Sequence, residues 1–458
     1  MRRTLGALAA LVALLPAGTS RAQISDPTGL LKSDNVSVLG TLPNPGVIGA
    51  RFREDVMFVT SVAGLTTYDI SNPASPRLLG ALPLPHFENE DVDLGGDILL
   101  ISNDAAESTG VLYVIDISDP AHPTLLSATQ MGGNPLFGGP GHTASCVLDC
   151  SFAWVTDGGG IRVIDLRNPA APVMKGPFPT PAGDDVATHD VQVDGNGLVW
   201  VVGFGGTAAY ELPAAYDGNG LGRLVAKTGP EGKSTYFDEL GLGTGENPND
   251  FIHHNSFRRA GDDTVFITEE DYARPGCRGA GSFQSWSLEV DAEGAPTGAD
   301  LKPLDLWTTE LLADAAQPAA LCSAHYFDLR RNVVAQGWYE QGVRFLDVHD
   351  PSDIRQVGYF IPPTSATWAA YFAPTDPSGE IVYSLDASHG IDVLRFDRPE
   401  RGPLSATGRP CEPGKSRKQC AEEGSPSLAA PIRERWILGT PEVGAATETF
   451  GFACRISV

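Results

Sequence analysis

The sequence is poor in positive charge. Across 458 residues, 32 Lys and Arg stand against 57 Asp and Glu, a formal net charge of −25. Phosphate backbones and anionic membrane surfaces are bound by clustered Lys and Arg. No basic run longer than a few residues occurs, so nucleic acid is excluded as a partner. Also missing is any apolar run of the length, about 18 residues or more, that reads as a membrane-spanning helix. The common motifs of nucleophile and nucleotide chemistry are absent: no G-x-S-x-G elbow, no H-E-x-x-H, no phosphate-binding loop, and no G-x-G-x-x-G between a strand and a helix. Turn residues, by contrast, are abundant. The chain has 52 Gly and 36 Pro, which points to many turns, and 42% hydrophobic residues, enough for a core.

The first 22 residues read as a signal peptide. Arg2 and Arg3 give a positive start, Leu5 to Leu15 an apolar stretch, and Ser20-Arg21-Ala22 a small-x-small cleavage site. Removal would leave 29 basic against 57 acidic residues, a net charge of −28. The expected location is secreted or periplasmic, within the cell envelope, as a monomer without a transmembrane segment. The seven cysteines agree with export. Cys146 and Cys150 flank a short turn that a disulfide would close. Cys277 with Cys322 is the next expected pair, and Cys411 with Cys420 or Cys454 the third, which leaves one cysteine over. No second close Cys or His pair accompanies Cys146 and Cys150, which argues against a metal held by that pair.

One phrase recurs along the chain: a Gly, a short β-rich run, an acid, then Asn/Asp-Pro-x-x-Pro and an apolar strand. It places acids at Asp69, Asp116, Asp165 and Asp347, with Arg395 in a looser copy and eroded copies at Glu211 and Ser287. Successive markers are 47, 49, 46, 76, 60 and 48 residues apart, which makes seven units. Within a unit the period is two. His189 to Val193 alternates, Asp194-Gly-Asn-Gly197 is a hairpin signal, and Val199 to Val202 and Thr207 to Tyr210 follow as strands. Four strands per unit, repeated seven times, predict an all-β, seven-bladed β-propeller of four-stranded antiparallel blades. The lead at 23–45 holds the strand Val36 to Asn44, expected to close the ring against the last unit. The propeller spans 46–408, and 409–458 form a disulfide-tied C-terminal extension. The long intervals imply insertions at Ala214 to Asp250 and Glu269 to Gly281.

These residues resemble the LVIVD-repeat proteins, secreted bacterial β-propellers mostly without assigned function, over about 50–400. The resemblance implies the fold and leaves the activity open. Units four and five depart from the pattern and are the expected place for individual chemistry.

Four histidines recur at one place in the unit, the start of the innermost strand. His142 lies 23 residues before Asp165, His189 22 before Glu211, and His325 22 before Asp347. His254 lies 33 before Ser287, with the insertion between, and Glu90 lies 26 before Asp116. Innermost strands line the channel of a propeller, so these five side chains are expected to converge near one mouth, as a site for copper, iron, zinc or manganese. The alternative is that each histidine bonds a neighbouring blade's backbone. Four-histidine carotenoid-cleaving oxygenases and copper methanethiol oxidases are similar in architecture only. His253 is expected to point away from His254. His122 and His349 read as exposed turn residues, and His86 and His389 as rim residues. The acids of Glu88 to Asp93, Asp184-Asp185, Asp262-Asp263 and Glu269 to Asp271 lack calcium-loop spacing and read as solvated surface. Trp338, Tyr339 and Trp368 read as packing between blades. Two functions stand at this point. One is an extracellular binding or scaffold module acting on a protein or small molecule through its face loops. The other is a metal-dependent oxidase or oxygenase.

Overall fold

The period-two segments form strands that pair in sequence order, because each hairpin turn delivers the next strand beside the last. In a computed structural model the residues described are 31–84, 91–103, 110–132, 140–183, 187–228, 252–259, 261–271, 281–309 and 323–399. They form seven antiparallel sheets, the blades of a propeller. The first strands of blades 1 to 7 are Val47–Arg53, Val92–Gly95, Ala144–Val147, Thr188–Val193, Ile252–Arg258, Phe327–Arg330 and Thr367–Phe372. In six of the seven neighbouring pairs of blades the first strands contact one another, so they line the axis. No helix among the described residues is long and apolar enough to cross a membrane.

The ring closes as expected. Val36–Pro43 is the fourth strand of blade 7, pairing with Gly390–Phe396 from Val36 opposite Phe396 to Pro43 opposite Gly390. Leu31–Lys32 adds a fifth strand to blade 6. Each blade is too thin to bury its own faces, and seven apolar clusters form, one between each pair of neighbouring blades. Between blades 6 and 7, Phe345 stacks on Phe396 with ring centroids 4.1 Å apart.

The repeated acid has a structural role. Asp69, Asp116, Asp165 and Asp347 each accept a hydrogen bond from the backbone N–H two residues on, capping the turn that leads to the outer strand. The hairpin at Asp194 to Gly197 forms, with Gly197 at φ +84°. Cys146 and Cys150 are joined by a disulfide across the turn that follows the first strand of blade 3. Cys277, Cys322, Cys411, Cys420, Cys454, the leader and the 409–458 extension lie outside the described residues.

Two expectations are corrected. The stretch from Ala214 is not all insertion: Arg223–Lys227 is the outer strand of blade 4 and pairs with Gly206–Glu211. Its entry turn is built on Asp217-Gly-Asn-Gly220 instead of Pro-x-x-Pro, which hid the strand. The acids Glu269, Glu270, Asp271 and Asp91 are buried, not solvated. Glu269 and Glu270 end a strand, Thr264–Glu270, that is buried at every position, and Asp271 follows it.

Candidate metal centre

The four histidines leave the regular ladder at the same point of their blades. His189 sits in a register shift between Thr188 and Asp190, and His254 in one between His253 and Asn255. His142 and His325 each precede the first ladder residue of their blades, Ala144 and Phe327, by two. A residue outside the ladder has its side chain re-aimed, as at a β-bulge. Here the rings turn toward the axis and follow one another across blades 3 to 6. Centroids are 4.5 Å apart for His142 and His189, 4.3 Å for His189 and His254, and 4.0 Å for His254 and His325. All four are buried.

Glu270 joins them. Its Oε2 lies 3.5 Å from His189 Nε2 and 4.0 Å from His254 Nε2. Donor atoms of His189, His254 and Glu270 all fall within 4.8 Å of one another. His142 Nε2 is 3.0 Å from His189 Nε2. Two donors held about 2.1 Å from one ion are about 3.0 Å apart at right angles and about 4.2 Å apart when opposite. The observed separations span that interval.

Tautomers follow from the backbone. His189 Nδ1 faces the carbonyl of His254 at 3.1 Å, and His325 Nδ1 that of Trp368 at 3.0 Å. A carbonyl only accepts, so each Nδ1 carries the hydrogen and each Nε2 presents a lone pair. The backbone bond offered as the alternative to ligation and the orientation ligation needs are thus the same bond. His189 Nε2 then faces His142 Nε2 and a carboxylate oxygen, so a proton or a cation has to lie among them. His254 is the sharpest case: it is fully buried, and neither ring nitrogen makes a hydrogen bond of ordinary geometry among the described residues, although the adjacent Asn255 side chain is close enough to favour its charged form. Leaving a buried polar group unsatisfied costs about 1–3 kcal/mol.

Electrostatics keep His254 and His325 neutral. Burial, then the neighbouring His325, His189 and His142, hold His254 well below the usual imidazole range. Burial takes His325 down to about 4, against the pull of Glu270. Burial pushes the Glu270 carboxyl up, opposed by His325 and by the hydrogen bond from Tyr339.

A second polar group surrounds Arg51. Arg51 lies 3.6 Å from Asp91 and 3.5 Å from Asp93. Burial opposes its charge, and Asp91 and Asp93 outweigh that. Burial raises Asp190, next to His189 in the chain, well above the carboxylate range, with Asp91 adding to it.

Of the expected set, His142, His189, His254 and His325 follow one another in successive ring contacts, and of these His189 and His254 bring donor atoms within 4.8 Å of one another and of Glu270; Glu90 and His86 lie outside the described residues. His253 turns away, with Nδ1 2.8 Å from Thr207 Oγ1 and its ring against Trp286. His122 and His349 are exposed turn residues. His389 is held at the rim by Asp392 and Asp386. Trp338 packs against Trp307 in the blade 5–6 core. The residues not foreseen are Glu270 and Tyr339, whose hydroxyl donates to Glu270 Oε1 at 2.5 Å. Pairing within the blade 5 hairpin sets Glu270 opposite Ile252, two residues from His254, and the run of buried positions before it was the available signal.

The LVIVD repeat model matches residues 54–82, 105–129 and 140–180, within blades 1 to 3. No curated protein matches the chain. Among solved structures, the Cps50 (Swd1) β-propeller domain of Myceliophteria thermophila is similar with a TM-score of 0.52 at 11% identity, over 79% of this chain and 99% of that one. The WD40 repeats of RRP9 give a TM-score of 0.50 at 11% identity, over 80% and 98%. At such identity the likeness concerns the fold alone.

Proposed function

We propose that this propeller, which carries LVIVD repeats, is an exported metal-dependent oxidase or oxygenase. Its ion is held on the axis by His142, His189, His254 and His325, with Glu270 as the carboxylate. The observation that carries this reading is His254. A fully buried imidazole whose nitrogens make no hydrogen bond of ordinary geometry among the described residues, 4.0 Å from a carboxylate oxygen that also approaches His189 Nε2, is suited to be a ligand. Neutral imidazoles with one carboxylate suit copper, iron, zinc or manganese, and the first two supply redox chemistry. Five protein donors leave one octahedral position for a reactant.

A second reading, an extracellular binding module, is favoured by the rim. Leu78, Leu125 and Val173 on the outer strands of blades 1, 2 and 3 are 68%, 43% and 56% exposed. Elemental analysis of the mature protein, purified without a His tag from its exported fraction, separates the two. Near-stoichiometric metal that disappears in a His189→Ala, His325→Ala double mutant supports the metal centre. Folded protein that is metal-free and takes up none on reconstitution removes it and leaves the binding module.

A further inference from the structure

The backbone is left-handed at Tyr339, with φ +29°, in a residue that has a large side chain. Such conformations cost about 1–3 kcal/mol and persist where the surroundings over-determine them. Here the Tyr339 carbonyl accepts from Gly342 N at 3.1 Å, Thr367 N at 2.9 Å and Ser365 Oγ at 2.6 Å. The ring is wedged between His325, 5.1 Å away, and Trp368, 5.6 Å away. The effect of this arrangement is to carry a blade 6 hydroxyl to a blade 5 carboxylate. Tyr339 Oη donates to Glu270 Oε1 at 2.5 Å, while Oε2 is the oxygen turned to His189 and His254.

We infer that Tyr339 is a positioning residue for Glu270: by holding Oε1 it makes the carboxylate a one-oxygen donor and keeps one coordination position of the ion open to a small anionic or diatomic ligand. This rests on the metal reading above. A carboxylate free to chelate would supply a second oxygen, and with four imidazoles that completes six-fold coordination and shuts out an exogenous ligand. An oxygen accepting a short phenol hydrogen bond is a poorer donor and is fixed away from the imidazoles. Hydrogen bonds to ligating carboxylates of this kind commonly alter affinity or activity by about ten- to a hundredfold.

The test uses full-length mature protein loaded with Co2+, whose visible bands report coordination number, and azide as the exogenous ligand. Wild type and Tyr339→Phe are both expected to bind Co2+. Wild type should show an azide-dependent spectral change, and Tyr339→Phe weaker bands with azide binding reduced about tenfold or more. Equal azide binding in the two loaded proteins overturns the role of Tyr339 and leaves the metal centre standing. Failure of wild type to take up Co2+ removes the metal reading and this inference with it. Should Tyr339→Phe not fold, the infrared splitting of the Glu270 carboxylate stretches in Co2+-loaded wild type, identified by their loss in Glu270→Gln, gives the answer. A wide splitting of one-oxygen binding supports the inference, and the narrow splitting of chelation overturns it.

Discussion

Replacing His254 with leucine should stabilise the metal-free protein. The imidazole is fully buried with a donor and an acceptor unsatisfied, and each such group costs about 1–3 kcal/mol. Leucine removes both and nearly keeps the volume, while its different shape against Tyr326 and the flanking rings, at 4.0–4.8 Å, costs up to about 1.5 kcal/mol. The balance favours His254→Leu by about 1–3 kcal/mol without metal. In a domain of this size that is a rise in Tm of about 1–4 °C. With metal the order reverses, because ligand at a thousand times its Kd adds about 4.1 kcal/mol to wild type only. Thermal unfolding in EDTA and then in Zn2+ or Cu2+ reads both signs with one pair of proteins. A His254→Leu protein that melts well below wild type in EDTA would show the imidazole to be a satisfied structural group, and the reasoning from its unpaired nitrogens would fail.

Other outcomes follow from the same structure. The metal-free protein should lose stability as pH falls. His325 is depressed to about 4 in the folded chain, so the unfolded chain binds the extra proton first. Its contribution, on the order of 3 kcal/mol, is complete above about pH 6.5 and lost on the way down to 4. Glu270, pushed up by burial, works in the opposite sense, so the slope should flatten in His325→Gln and steepen in Glu270→Gln when urea midpoints are followed against pH. Phe396→Ala, which removes the ring stacked on Phe345 at the closure, should cost about 3–5 kcal/mol in chemical denaturation. A chain lacking the residues before Val47 should expose the edge of Gly390–Phe396 and aggregate, as size-exclusion chromatography would show. Replacing both Cys146 and Cys150 with serine should cost only about 2 kcal/mol, since the closed loop is short, and leave metal content unchanged.

Much of this architecture was legible because repetition multiplies weak signals. The acids at Asp69, Asp116, Asp165 and Asp347 marked the blades through a turn cap that each blade needs, and Val36–Pro43 was found as an outer strand without an owner. The histidines were legible for the same reason, as a position that recurs. Glu270 was not: it sits in the most eroded blade, and an acid at a strand end looks like surface until the ring closes over it. Tyr339 was less accessible still, because its role depends on a left-handed backbone that no pattern of side chains encodes. Arg223–Lys227 was hidden by a substituted turn.

The distribution of chemistry around the ring follows from these two kinds of residue. Blades 1 to 3, which keep the repeat phrase most faithfully, match the family model, and among the described residues blade 3 contributes His142 to the row of rings. Breaks in the inner ladder are not confined to the other blades: register shifts fall between Val47 and Ala50 in blade 1 as well as at His189, His254 and Trp368 in blades 4, 5 and 7. What sets blades 4 and 5 apart is the residue type at the break, a histidine in each, where blade 1 has Ile48 and Gly49. A break frees a side chain from the ladder, and the residue placed there decides whether the freed position carries chemistry. Successive rings from four blades then follow one another at centroid spacings of 4.0–4.5 Å.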